Sequence, residues 1–308
     1  MKSKAVKENK KSHKRIRVKY KNEIIAYRML AIPLILWGIF FLFALFRVIY
    51  LSFTDWNIFK APDFVGLDNY IRIFTNDGGL WKAFNNTFIW TIFTVIGHNL
   101  IGLGTAYMIT CISKGEKFFR AALFWPILVS QVVGATMIEW IFDPSPYGFL
   151  NTILGLFGIK SVAWLSDPDM ALISLMLYPL FLGFGIRMLI YLAGLKQIPK
   201  TFYEAAKIDG ASNWTIFKKV TIPLLKPIIL LNIVYTTIES FKVIGPMQLV
   251  TKGGPIGSTM SVVLRIYQDG FVENKMGYAS SIAVMFFIFI LIVTIIQFRF
   301  EGEKVTYE

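Results

Sequence analysis

Tyr278-Ala-Ser-Ser-Ile-Ala-Val-Met-Phe-Phe-Ile-Phe-Ile-Leu-Ile-Val-Thr-Ile-Ile-Gln-Phe298 runs for 21 residues without a charged side chain. A helix needs about 20 mostly apolar residues to cross about 30 Å of hydrocarbon, so this stretch can span a bilayer. A buried helix of a soluble protein would show a polar face. Five more candidates lie upstream: about Tyr27 to Phe53, about Thr87 to Ile112, Phe118 to Phe142, Met170 to Gly194, and about Thr221 to Phe241. The second is diluted by His98, Asn99 and three glycines. The sequence predicts an all-α polytopic membrane protein with six transmembrane helices.

Composition agrees. Of the 308 residues, 55% are hydrophobic and 17% charged, and the mean hydropathy is +0.57. A soluble domain is about 45–50% apolar and about 25% charged. One cysteine, Cys111, excludes an intramolecular disulfide framework and a thiolate metal cage. The first apolar run is longer than a signal peptide's and ends at Phe53-Thr54-Asp55-Trp56 without Ala-x-Ala, so it reads as a retained span.

The net charge of +13 is distributed by topology. Lys and Arg collect in cytoplasmic loops. With six spans, residues 1–28, the loop around Lys114–Arg120, the loop 196–227 and the tail from Arg299 share one face, which totals +14; the opposite face totals −1. Arg47, Glu139, Arg187 and Glu239, inside spans, cancel. Both termini are therefore expected in the cytoplasm. The basic tail lacks the interleaved aromatics of a single-strand binder and abuts a span, which suits anionic membrane lipid and not nucleic acid.

The loop between the fourth and fifth spans contains Pro199-Lys-Thr-Phe-Tyr-Glu-Ala-Ala-Lys-Ile-Asp-Gly-Ala-Ser212. Pro199 and Thr201 are helix-start signals and Gly210 suits a helix end. A second short helix is predicted over Ser212–Lys219 with Ser212 as N-cap, and Pro223 and Pro227 lead into the fifth span. The helix–Gly–helix unit presents Glu204 beside two small residues, which lets a partner approach closely.

Glu204-Ala205-Ala206, Gly210 and Val220-Thr221-Ile222-Pro223 match, spacing included, the signature loop of permease subunits of ATP-binding-cassette importers. The resemblance covers nearly the whole chain and points to the carbohydrate branch. It includes Phe64-Val-Gly-Leu-Asp-Asn-Tyr70, Asn86-Thr87, Phe119-Arg120, Trp125-Pro126, Pro146-Tyr-Gly-Phe-Leu-Asn151, Ala193-Gly194-Leu195, Asp209-Gly210-Ala211, Thr251-Lys-Gly-Gly-Pro255 with Ser258-Thr259, and Gly277-Tyr278-Ala279. Lys252 replaces a usual small residue, and Leu180-Phe181 stands where a tryptophan is expected.

The resemblance implies residues 1–26 as a cytoplasmic tail, 27–298 as the permease domain with a coupling loop at 195–227, and 299–308 as a second cytoplasmic tail. It implies a second, similar permease, two ATPase subunits that use the ATP, an external solute-binding protein and a sugar as cargo. Glu204 would be the main contact to the ATPase, with Ala205, Ala206 and Gly210 permitting the fit and Asp209 assisting. No cofactor or metal is expected on this chain, and no catalytic residue. It has no Gly-x-x-x-x-Gly-Lys-Ser/Thr loop and no Gly-x-Ser-x-Gly elbow, and His13 and His98 cannot form a His-Glu-x-x-His site.

For the solute pathway, Tyr235, Thr236, Glu239 and Ser240 of the fifth span are candidates, Thr236 and Ser240 sharing one helix face. Glu139-Trp140 could join them or belong to an interfacial belt. Arg187 is expected to snorkel to the cytoplasmic surface, and His98 and Asn99 to bond neighbouring helices. Gly102 with Ala106, and Ala279 with Ala283, offer small packing faces. The rival readings are an importer of another solute, such as a phosphorylated glycerol, a self-sufficient secondary transporter, and a membrane sensor or scaffold.

Overall fold

A computed structural model describes residues 25, 27–112 and 114–299. The basic tail up to residue 24 and residues 300–308 lie outside them. Among the described residues, five helices are long and apolar enough to cross a membrane: α1 (Tyr27–Leu51), α3 (Gly78–Cys111), α7 (Pro168–Gln197), α9 (Asn213–Phe241) and α11 (Met276–Arg299). The intervening elements are α2 (Asp68–Asn76), α4 (Glu116–Leu128), α5 (Gln131–Ile141), α6 (Phe149–Leu156), α8 (Lys200–Ile208) and α10 (Val262–Tyr267).

The predicted third span is not one helix. It is the pair α4 and α5, bent by 89°. The cause is local. Trp125–Leu128 tightens into a 3-10 turn around Pro126. Val129 is extended, and Ser130 caps α5 by accepting from the Val133 N–H at 3.3 Å. Counted as one broken span, the pair makes six.

The second departure is at the fifth span. The short helix predicted after Ser212 does form, with Ser212 accepting from the Thr215 N–H at 3.2 Å. It then continues through a π-turn at Phe217–Thr221 directly into the span. Pro223 lies in the first turn after the π-turn, where a missing N–H costs least, and Pro227 is absorbed inside the helix.

The helices cross closely where glycines remove bulk. A Cβ on Gly102 would lie 2.9 Å from the Arg187 Cβ, and one on Gly194 would lie 2.9 Å from Ile228 Cγ1. Ala106 is fully buried beside this crossing of α3 and α7, among Ile109, Met188 and Tyr191. By contrast α1 leaves Phe40 75% exposed and Phe43 66% exposed. Such a surface is stable against lipid or another membrane subunit and not against water.

Two polar clusters fix the end of the bundle opposite α8. Asn151 Nδ2 donates to the carbonyls of Ser145 and Val162, and its Oδ1 accepts from the Val162 N–H and Trp164 Nε1. This closes the excursion between α5 and α7. Asp77 caps α3 through the Leu80 N–H at 2.8 Å, accepts from the Tyr278 hydroxyl at 2.6 Å and meets Arg265 at 3.4 Å. Arg265 also donates from Nε to Asp269 at 2.8 Å.

Burial acts to raise the Asp77 carboxyl. The Tyr278 hydroxyl, the Leu80 N–H, Arg265 and Arg72 outweigh it and hold the group below the ordinary aspartate range. A carboxyl lowered on folding contributes stability that is complete above its unfolded pKa and is lost as pH falls through its folded one. Asp77→Asn should therefore cost about 1.5–3 kcal/mol at pH 7. In thermal scans of the detergent-solubilised chain, the gap to wild type should close below about pH 4.

Candidate functional site

The broken third span opens a cavity of about 450 Å³ between the α4–α5 junction, α3, α7 and the C-terminal end of α9. Gln131 comes to it from the break itself, and Trp90, Thr94 and His98 from one side of α3. Tyr178, Gly183 and Arg187 line it from α7, and Glu239, Ser240 and Lys242 from α9 and the residue after it. Ser240 is buried, whereas Glu239 and Lys242 are exposed.

Of the four pathway candidates, Glu239 and Ser240 reach this cavity. Tyr235 and Thr236 are not among its lining residues. They hold Arg187: its Nε donates to Thr236 Oγ1 at 3.2 Å, and its Cζ sits 4.8 Å from the centre of the Tyr235 ring. Thr236 in turn donates to the Asn232 carbonyl at 2.7 Å. Arg187 is only 5% exposed. The expected snorkelling is thus a misreading. The side chain is captured by α9 before it can reach the surface, because Gly102 lets α3 and α7 close over it.

His98 and Asn99 do bond neighbouring helices. His98 Nε2 donates to the Pro179 carbonyl at 2.6 Å, and Tyr191 donates to Asn99 Oδ1 at 2.5 Å. A Cβ on Gly183 would strike the imidazole at 2.6 Å, so that glycine makes room for the ring. Glu139 and Trp140 point elsewhere. Trp140 is 64% exposed and packs on Phe149, with ring centres 5.0 Å apart.

At the other end of the bundle, α8 carries the Glu204 segment. Pro199 precedes its first residue, Lys200. Its end is a left-handed glycine cap: Gly210 has φ +74°, its N–H donates to the Lys207 carbonyl at 3.0 Å, and the Ala211 N–H donates to the Ala206 carbonyl at 3.0 Å. Any other residue would be strained there. Glu204, Ala205, Asp209 and Gly210 are exposed and Ala206 is half-buried.

Glu204 borders a groove of about 730 Å³, shared with Tyr107, Glu116, Lys196 and Lys200. Lys196 pairs with Glu116 across its wall, tying α7 to α4. The segment around α8 also exposes three apolar side chains that sequence reading passed over: Phe202, Ile208 at 87% exposure, and Trp214 at 65%. Large apolar groups left exposed on a short, otherwise polar segment suit a contact surface. Ile208 stands between Lys207 and Asp209 in the sequence, and only the structure shows how far it is exposed.

Residues 22–303 match the family described as binding-protein-dependent transport system inner membrane component. The chain belongs to this family. It is 35% identical over 263 residues to the probable ABC transporter permease protein YesP of Bacillus subtilis, covering 84% of each chain. It is 32% identical to the multiple sugar-binding transport system permease protein MsmF of Streptococcus mutans, covering 92% of this chain and 97% of that one. Its fold matches a chain in the crystal structure of a bacterial alginate ABC transporter in complex with an alginate pentasaccharide-bound periplasmic protein. That match has a TM-score of 0.75 at 21% identity and covers 90% of this chain and 93% of that one.

The family membership makes this a multi-pass membrane permease. Several of its motif residues hold the end opposite α8 together. Asn69 donates to the carbonyls of Ser52 and Thr54, and Tyr70 donates to the Ser52 hydroxyl. Asn86 donates to the carbonyls of Gly257 and Met260, while Thr87 accepts from the Val262 N–H. Thr251 and Thr259 bond each other at 2.6 Å. These motif residues close the 251–262 segment over α3.

Proposed function

We propose that this permease is one of two membrane subunits of an ATP-driven importer of saccharides. Its partners would be a second permease of the same family, two ATPase subunits and an external solute-binding protein. The observation that carries this reading is the exposed α8 unit, which ends in the Gly210 cap and presents Glu204 on a segment that also exposes Phe202 and Ile208, with Trp214 exposed just after the cap. It has the shape of a small docking knob at one end of a membrane bundle. The names of the relatives MsmF and YesP support the class.

In this reading residues 1–26 and 299–308 face the cytoplasm, as the charge asymmetry favours, and so does the coupling loop 195–227. Glu204 would make the main contact to the ATPase. Ala205 and Ala206 would let the partner approach, Asp209 would assist, and Gly210 would set the turn. The solute would pass through the cavity that Glu239 and Ser240 line. Tyr235 and Thr236 would act on that pathway through Arg187. ATP would be held by the ATPase subunits and no cofactor by this chain.

The test is uptake into proteoliposomes. The assembled complex with its binding protein should accumulate saccharide only when ATP is supplied to the ATPase side. The permease alone, under a proton or sodium gradient, should accumulate none. Uptake by the permease alone would replace this reading with that of a secondary transporter.

A further inference from the structure

Arg187 is a cation at membrane depth with no carboxylate at ion-pairing distance among the described residues, although Glu239 on the same cavity attracts it from farther away. Burying a charge unpaired is costly, and an ionisable group inside a span marks a functional site by default. The way it is held leaves it half used. Thr236 fixes Nε and the Tyr235 ring supports one face of the guanidinium. No acceptor within the chain meets either Nη group among the described residues, and the side chain lines the cavity. A guanidinium moored at Nε with both Nη groups free is a preformed fork for two oxygens of an anion.

The rest of the cavity fits an anionic sugar. Lys242 adds a second cation and Glu239 a single carboxylate, so the charged lining is net positive. Trp90 and Tyr178 supply aromatic edges, and Gln131 and Ser240 neutral hydrogen-bonding groups. We propose that Arg187 recognises an oxyanion on the cargo, so that the transported saccharide carries a carboxylate, phosphate or sulfonate. This deepens the importer reading and rests on it.

The test compares uptake of three labelled probes by the reconstituted complex with its binding protein: digalacturonate, a hexose phosphate and the neutral disaccharide maltose. Wild type should take one of the acidic probes in preference to maltose, and which one separates carboxylate from phosphate. Arg187→Met should lower the acidic-to-neutral uptake ratio at least about tenfold, the least that loss of a buried charged pair predicts. Arg187→Lys, which keeps the charge but loses the fork, should recover part of it. Should Arg187→Met fail to assemble, Arg187→Lys decides: a higher KM for the acidic probe alone supports the proposal, and an equal change for both overturns it. Preference of wild type for maltose, or a ratio unmoved by Arg187→Met, also overturns it while leaving the importer reading intact. Uptake of no saccharide at all sinks that reading, and this one with it.

Discussion

A Gly277→Ala variant is expected to be among the most damaging single-methyl changes in this chain. Gly277 stands at the start of α11, where the hairpin of Thr54–Asp55 and Asp63–Phe64 crosses it. Its N–H donates to the Trp56 carbonyl at 3.1 Å. A Cβ would lie 1.9 Å from the Thr54 carbonyl oxygen and 2.9 Å from the Trp56 nitrogen. Both obstacles are backbone, so no rotamer change relieves them. Overpacking costs about 1–3 kcal/mol and occasionally more, and the upper end applies because the hairpin itself must shift. Thermal unfolding of the detergent-solubilised chain checks it, with Gly104→Ala as control. A Cβ on Gly104 meets nothing within 4 Å, and alanine there should be neutral or gain up to about 1 kcal/mol in helix propensity. Equal melting temperatures for the two variants would sink the steric account.

The spans were legible because hydrophobicity is a property of each residue and survives without knowledge of neighbours. Met276–Arg299 differs from the sequence reading by two residues at its start and one at its end. Gly78–Cys111 begins nine residues before the predicted Thr87, because Asp77 caps a turn of mixed polarity that no apolar window registers. The bend between α4 and α5 was hidden for the opposite reason. Pro126 and Ser130 are visible break signals, but the run from Phe118 to Phe142 is apolar enough to read as one span.

Arg187 shows where sequence reasoning about a site runs out. Its distance from the cytoplasmic end of α7 suits snorkelling. Capture depends on Thr236 and Tyr235, which lie 49 and 48 residues further on and on another helix. The same tertiary step moves those two residues from candidate lining groups to the support of Arg187, which lines the cavity. Glu239 and Ser240, one turn further along α9, line the cavity, although helical spacing groups them with Tyr235 and Thr236.

Replacing Glu204 by lysine should uncouple the assembled importer while leaving this chain folded. Among the described residues Glu204 has no hydrogen-bond or ion-pair partner in its own chain. Its removal therefore breaks no contact that holds α8, whose geometry comes from the Gly210 cap. Any large effect must arise in the partner. If the docking surface buries Glu204 against a polar or basic group of the ATPase, losing one member of such a pair costs about 2–5 kcal/mol, and reversing the charge belongs at the upper end. Each 1.4 kcal/mol is about tenfold, so ATPase stimulation by saccharide-loaded binding protein should fall by about two orders of magnitude or more. Glu204→Gln should fall less, because the amide keeps an acceptor of similar shape. Co-purification of the ATPase subunits separates the two ways to fail: lost binding removes them, and lost transmission leaves them bound but unstimulated. Full stimulation in Glu204→Lys, with uptake at the wild-type rate, would move the contact to the neighbouring apolar group. Ile208→Ser and Trp214→Ser would then be the variants that uncouple.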